Sequence, residues 1–154
     1  MIARRIGPDG PSSGPILCLG ETLVDLICER PVADWNEADS FVPHCGGGPT
    51  NVAVVAARCG AAAAVAGGVG DDAWGRWLRG RLEREGIDLR WFLLIPGEET
   101  VVAFAVIDEQ AVPDFLIYGR GIGAMAEALA CRIEEAVAAC SALYVTSNTL
   151  VGPR

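Results

Sequence analysis

Apolar residues fall in short blocks along this chain, and the spacing inside each block separates strands from helices. Ile16 to Leu19 is an apolar run bounded by Gly20, and Thr22 to Ile27 continues it toward a charged Glu29-Arg30 turn, so a first strand is predicted here. From Pro49 to Cys59 the residues Val52, Val55, Ala56 and Cys59 recur at helical spacing, with Gly60 placed to stop the helix in a left-handed turn. Ala62 to Ala66 reads as a buried strand despite alanine's weak strand preference. Asp71 or Asp72 is positioned to cap the next helix, whose Trp74, Trp77, Leu78 and Leu82 share one face before Gly86 ends it. Trp91 to Ile95 and Thr100 to Ile107 are rich in strand formers on either side of a Pro96-Gly97 turn, and Asp114 to Tyr118 reads as one more strand. Met125 to Cys140 sets Met125, Leu129, Ile133 and Val137 at four-residue steps, an amphipathic helix, and Leu143 to Val145 follows as a strand.

Strands alternating with helices predict an α/β fold around a parallel sheet, with ligands at the carboxyl ends of its strands. The strand segments near Val42 and from Trp91 to Tyr118 break that alternation. Residues 1 to 14 contain Pro, Gly and Ser around Arg4 and Arg5 without an apolar core, and are expected to form a disordered leader. The longest nearly apolar run, Ala61 to Val69, is too short to cross a bilayer.

Composition narrows the function classes. A net charge of -8 argues against a nucleic-acid partner, which would require a clustered basic face. The arginines between Arg76 and Arg90 are interleaved with glutamates, as on a salt-bridged helix surface. Six cysteines show no C-x-x-C pair and His44 is the only histidine, so no zinc-like metal site is expected. Cys18, Cys59 and Cys140 fall at apolar positions where a thiol packs as a small hydrophobe, and free thiols fit a cytoplasmic protein.

The chemistry concentrates in Cys45 to Ala53, C-G-G-G-P-T-N-V-A. Gly46, Gly47 and Gly48 can take backbone angles closed to other residues and let a ligand touch the main chain. Pro49 suits the first helical turn, and the Asn51 amide is expected to face the same space as the glycines. Without a G-K-S or G-K-T ending this is not a Walker phosphate loop. Asp25, at the expected end of the first strand, is either a solvated acid or an acceptor for two neighbouring hydroxyls.

In order and spacing, these blocks resemble the ribokinase-like (PfkB) carbohydrate kinases, which include fructokinases and 2-keto-3-deoxygluconate kinases. The resemblance rests on I-L-C-L-G-E-T-L-V-D-L from Ile16, the glycine loop, A-G-G-V-G-D-D-A-W-G from Ala66, and L-R-G-R-L-E-R-E-G-I-D from Leu78. F-L-I-Y-G-R from Phe115 and A-L-Y-V-T-S-N-T-L from Ala142 extend it. It implies a ribokinase-like parallel-sheet core with a small β-sheet lid, and phosphorylation of a sugar or sugar-acid hydroxyl by ATP with Mg2+. Asp25, Gly47, Gly48 and Asn51 would hold the sugar. Tyr118 and Arg120 would occupy the family's Y-x-R positions, although the G-I-G-A-M-A that follows departs from the usual A-D ending. The family's D-T-x-G-A-G-D signature, with its base, anion hole and nucleotide site, has no counterpart in this chain. Residues 15 to 154 are therefore expected to be a truncated N-terminal part of the kinase domain, carrying the sugar-binding half but no catalytic base. A homodimer through the lid or the exposed sheet edge is a further implication.

Two rivals stand beside this reading. Gly119-Arg-Gly-Ile-Gly-Ala124 follows a strand and precedes a helix, matching the G-x-G-x-x-A dinucleotide fingerprint of an oxidoreductase, but Thr146-Ser147-Asn148 at the next strand end offers no acid for a ribose. The other is a noncatalytic half-domain that associates through an exposed sheet edge.

Overall fold

A computed structural model describes residues 14–119 and 127–150. The predicted leader up to Ser13, Met125, and residues 120–124 of the G-x-G-x-x-A stretch, Arg120 among them, lie outside the described residues. The core sheet holds β1 (Ile16–Leu19), β4 (Ala63–Gly70), β5 (Asp88–Ile95) and β8 (Ala142–Val145) in the order β5-β4-β1-β8, all parallel. The second sheet, the lid, runs β3-β2-β6-β7 from β2 (Leu23–Cys28), β3 (Phe41–Gly46), β6 (Val102–Ile107) and β7 (Pro113–Tyr118). Its central pair β2-β6 is parallel and both outer pairs are antiparallel.

Helices cover both faces of the core sheet, which is why β4 can be built from alanine, glycine and valine with every residue buried. On one face α1 (Gly48–Arg58) and α2 (Ala73–Arg84) enclose Cys18, Val65, Leu78, Leu82 and Phe92. On the other, Leu129 and α3 (Ile133–Ala138) pack with Leu17, Trp91 and Cys140. A short α4 (Ser147–Leu150) follows β8.

The stretch from Ile16 to Ile27 is not one strand. Gly20 sits at φ 146, a conformation that side-chain-bearing residues rarely adopt, and there the chain leaves the core sheet for the lid. Asp25 consequently lies inside a lid strand rather than at a strand end. The stripe expected on α1 also differs: Ala53 is buried, with Val52, Val54, Ala56 and Ala57 packed beside it, whereas Val55 is 61% exposed and Cys59 is exposed. This helix is apolar on nearly every side, so periodicity alone does not choose its inner face. The helix expected from Met125 to Cys140 is interrupted by a turn at residues 131–132. Asp72, not Asp71, caps α2, and Gly60 and Gly86 take the left-handed stops at φ 84 and 73.

Candidate functional site

The two sheets meet where Gly20 to Thr22 climbs from β1 into the lid beside the glycine loop leading into α1. Gly47 is the helix N-cap at φ 102, and a Cβ there would collide with the carbonyl oxygen of Glu21. Glycine is therefore demanded twice, by conformation and by space. Beneath the loop the fully buried Thr50 places its hydroxyl 2.6 Å from that of the buried Thr22. The Glu21 carboxylate, also buried, accepts from the Gly48 N–H at 3.2 Å, from the Thr146 hydroxyl at 3.2 Å and from the Thr149 hydroxyl at 3.1 Å. One acid thus ties together the end of β1, the head of α1 and the exit of β8.

Asp25 stands half-buried on β2, directly across from His44 on β3. Its carboxylate packs against Gly46 so closely that a Cβ at that glycine would collide with it. Burial pushes the Asp25 carboxyl upward, while the facing His44 pulls it back. Among the described residues no hydrogen bond reaches this carboxylate, so its acceptor positions stay open for a ligand.

The other predicted contacts separate. Gly47 and Gly48 adjoin Asp25 through Gly46 and the Glu21 strap. Asn51, exposed in the first turn of α1, lines a cleft of about 390 Å³ that also takes in His44 and Cys45. His44 therefore belongs both to the Asp25 pair and to the cleft. Tyr118 does not join this group. In the lid register Asp25, His44, Ala103 and Ile117 form one cross-strand row, and Val24, Cys45, Val102 and Tyr118 the adjacent row, which points to the opposite face. There Tyr118 meets Phe104 edge-to-face at 5.8 Å in an apolar hollow with Trp35 and Phe41. β7, which precedes Gly119, is an antiparallel lid strand, so the dinucleotide reading loses the parallel βαβ setting on which its fingerprint depends.

Sequence reasoning missed Glu21 and used His44 only against zinc. Glu21 had a readable signal, a lone acid inserted between two apolar runs, and His44 lies two residues before the glycines. Among the described residues no group of three His, Cys, Asp or Glu could hold a metal ion, and no helix is long and apolar enough to cross a membrane.

The model of the pfkB family of carbohydrate kinases matches residues 15–153. A probable fructokinase-2 of Arabidopsis thaliana is 30% identical over 110 residues, covering 71% of this chain and 33% of that protein. A sugar kinase of Pyrococcus horikoshii solved in complex with ATP superposes with a TM-score of 0.63 at 34% identity, over 67% of this chain and 33% of that one. A putative ribokinase of Agrobacterium tumefaciens shares the fold over 86% of this chain and 44% of its own, with a TM-score of 0.74 at 21% identity. The chain spans about a third of the length of the fructokinase relatives it matches.

Proposed function

The chain belongs to the pfkB family of carbohydrate kinases, and on that premise we propose that it carries the acceptor half of an enzyme moving the terminal phosphoryl group of ATP to a hydroxyl of a hexose or sugar acid. The observation that carries this reading is the half-buried Asp25 carboxylate, held against Gly46 with its acceptor positions open. Such a group suits two neighbouring hydroxyl donors, and charge-assisted bonds of this kind are worth about 1.5 to 3 kcal/mol each. Gly47 and Gly48 would bring bare backbone beside the sugar, and Asn51 would reach a further hydroxyl. Tyr118 and Arg120 would contribute only if the acceptor extends around the lid, because Tyr118 lies on the face away from Asp25.

The residues described here do not fit ATP. The Gly48 N–H at the head of α1, the donor a phosphate would meet, is already taken by the buried Glu21 carboxylate, whose charge repels another anion. ATP as phosphoryl donor is supported by the ATP-bound relative, and Mg2+ would neutralise phosphate charge in such a transfer. We assign both, with the catalytic base, to the part of the family fold that this chain does not span. A cytoplasmic location belongs to the same proposal.

The test is calorimetric titration of fructose and 2-keto-3-deoxygluconate into the wild-type chain and Asp25→Ala. We expect sugar affinity to fall about tenfold or more in the variant. Unchanged affinity with an intact circular dichroism spectrum would sink the assignment.

A further inference from the structure

The cleft that Asn51 and His44 share continues between α1 and α2, well beyond what an acceptor sugar against Asp25 requires. Its volume, about 390 Å³, falls within the range of small-molecule sites. One wall is fixed across the helices by Arg58, which donates to Glu85 through Nε at 2.8 Å and Nη2 at 2.5 Å. This pair neutralises itself. Arg81 does not: Arg30, Arg58, Arg76, Arg79 and Arg90 each pair with a carboxylate, whereas among the described residues no acid pairs with Arg81. Its guanidinium instead lies over the Trp77 ring, 4.9 Å from the centroid, a cation–π contact that leaves its N–H groups available.

Cys45, also in the cleft, is no rival explanation for it. Burial, reinforced by Asp25, pushes this thiol up to about 11 against the opposing field of Arg81, so at neutral pH it is protonated and a poor nucleophile.

We propose that the α1–α2 cleft is a second ligand site, for a small hydroxylated molecule bearing an oxyanion, carboxylate or phosphate ester, with Arg81 as the anion partner and Asn51 and His44 as hydroxyl partners. The pairing follows from donor geometry: a guanidinium fork matches two oxygens of one planar or tetrahedral oxyanion, while the amide and imidazole suit neutral hydroxyls. Because Asn51 belongs to the glycine loop and His44 faces Asp25, an occupant touches the acceptor site from behind. Binding at the two places is therefore linked, and the linkage is reciprocal.

The experiment titrates fructose 6-phosphate, gluconate and fructose separately into wild type, Arg81→Met, Arg81→Lys and Arg84→Met. Arg84 is a neighbouring helix arginine outside the cleft. We expect at least one of the two anions to bind the wild type, Arg81→Met to weaken it about tenfold or more, Arg81→Lys to lie between, and Arg84→Met to match the wild type. Binding of only one anion identifies whether carboxylate or phosphate is the natural group. No binding of either anion, equal binding by Arg81→Met, or an equal loss in Arg84→Met overturns the site. Asp25→Ala separates this proposal from the sugar-acceptor reading: it should leave anion affinity within a few-fold while fructose binding falls, so either assignment can fail alone.

Discussion

Removing the Asp72 side chain should detach the lid from the core before it unfolds the core itself. Asp72 caps α2 by accepting from the Gly75 N–H at 2.8 Å. The same carboxylate accepts from the Thr100 N–H and the Thr100 hydroxyl, each at 2.8 Å, and the buried Thr100 stands just before β6. Loss of a helix cap costs about 1 kcal/mol. Each bond from Thr100 to a charged acceptor is worth about 1.5 kcal/mol or more, discounted because water can reach the half-buried carboxylate. Asp72→Ala should therefore lose about 2 to 4 kcal/mol, or roughly 4 to 15 °C in Tm for a chain of this size. Asp72→Asn keeps the acceptor for Gly75 and the Thr100 hydroxyl but turns a donor toward the Thr100 N–H, so about half that loss is expected.

The pH dependence supplies an independent check. Burial raises the Asp72 carboxyl, but the Thr100 and Gly75 N–H groups, the Thr100 hydroxyl and the Trp74 N–H outweigh it and hold the group below the usual carboxylate range. With the folded value depressed, the stabilisation is complete above the unfolded value of about 3.9 and fades as pH falls through the folded one. The gap between wild type and Asp72→Asn in urea unfolding, followed by tryptophan fluorescence, should accordingly narrow below about pH 4. Hydrogen exchange should show β6 amides opening faster in Asp72→Ala while β4 amides keep their protection. An Asp72→Ala variant within about 0.5 kcal/mol of wild type, or a gap that persists unchanged into acid, would falsify the reasoning.

Other perturbations probe the rest of the architecture. Gly47→Ala should destabilise by more than about 1 kcal/mol, since it meets both the φ of 102 and the Glu21 carbonyl; a thermal melt equal to wild type would mean the loop relaxes freely. Thr50→Val should cost about 1 to 3 kcal/mol by leaving the buried Thr22 hydroxyl without its 2.6 Å partner, and Thr22→Val/Thr50→Val together should cost less than the sum of the single changes. The isolated chain should release no ADP from ATP in the presence of fructose; sugar-dependent release above background, free of contaminating kinase, would show that the acceptor half suffices. Ile117 and Phe115 are 65% and 51% exposed on the lid, and β8 is an edge of the core sheet among the described residues. Self-association should therefore grow with salt as repulsion is screened beyond about 8 Å, and Ile117→Lys should reduce it; light scattering showing a salt-independent monomer refutes this.

What could be read directly from the sequence was local. The left-handed stops at Gly60 and Gly86, the cap ahead of Ala73 and the helix start behind Pro49 are each specified by a residue whose conformational preference acts within one turn. Sheet membership is not of this kind. The run from Ile16 to Ile27 is apolar throughout except at Glu21, Thr22 and Asp25, and nothing within it announces that Ile16 pairs with Ala63 while Asp25 pairs with His44. Those partners lie far along the chain, and the register they impose decides which face each side chain takes. Strand pairing next to a turn sets Asp25 beside Gly46 of the glycine loop, whereas the register of β6 and β7 turns Tyr118 to the other face of the lid.

The joints between the sheets explain why polar residues interrupt those apolar runs at all. Where the chain first enters the lid, at Gly20 to Thr22, Glu21 gathers Gly48, Thr146 and Thr149 around its carboxylate, and Thr22 meets Thr50. Where it enters again, ahead of β6, Asp72 holds Thr100. Apolar contacts, such as Val24 and Val102 against the core cluster, hold the lid down but are non-directional, so they specify its orientation less than bonded groups do. Hydrogen bonds are directional, so these acids fix where the lid stands and thereby where Asp25 points relative to the glycine loop. The bonds to Asp72 hold its carboxyl below the usual carboxylate range, so this second joint should loosen as pH falls through that lowered value, before the apolar core fails.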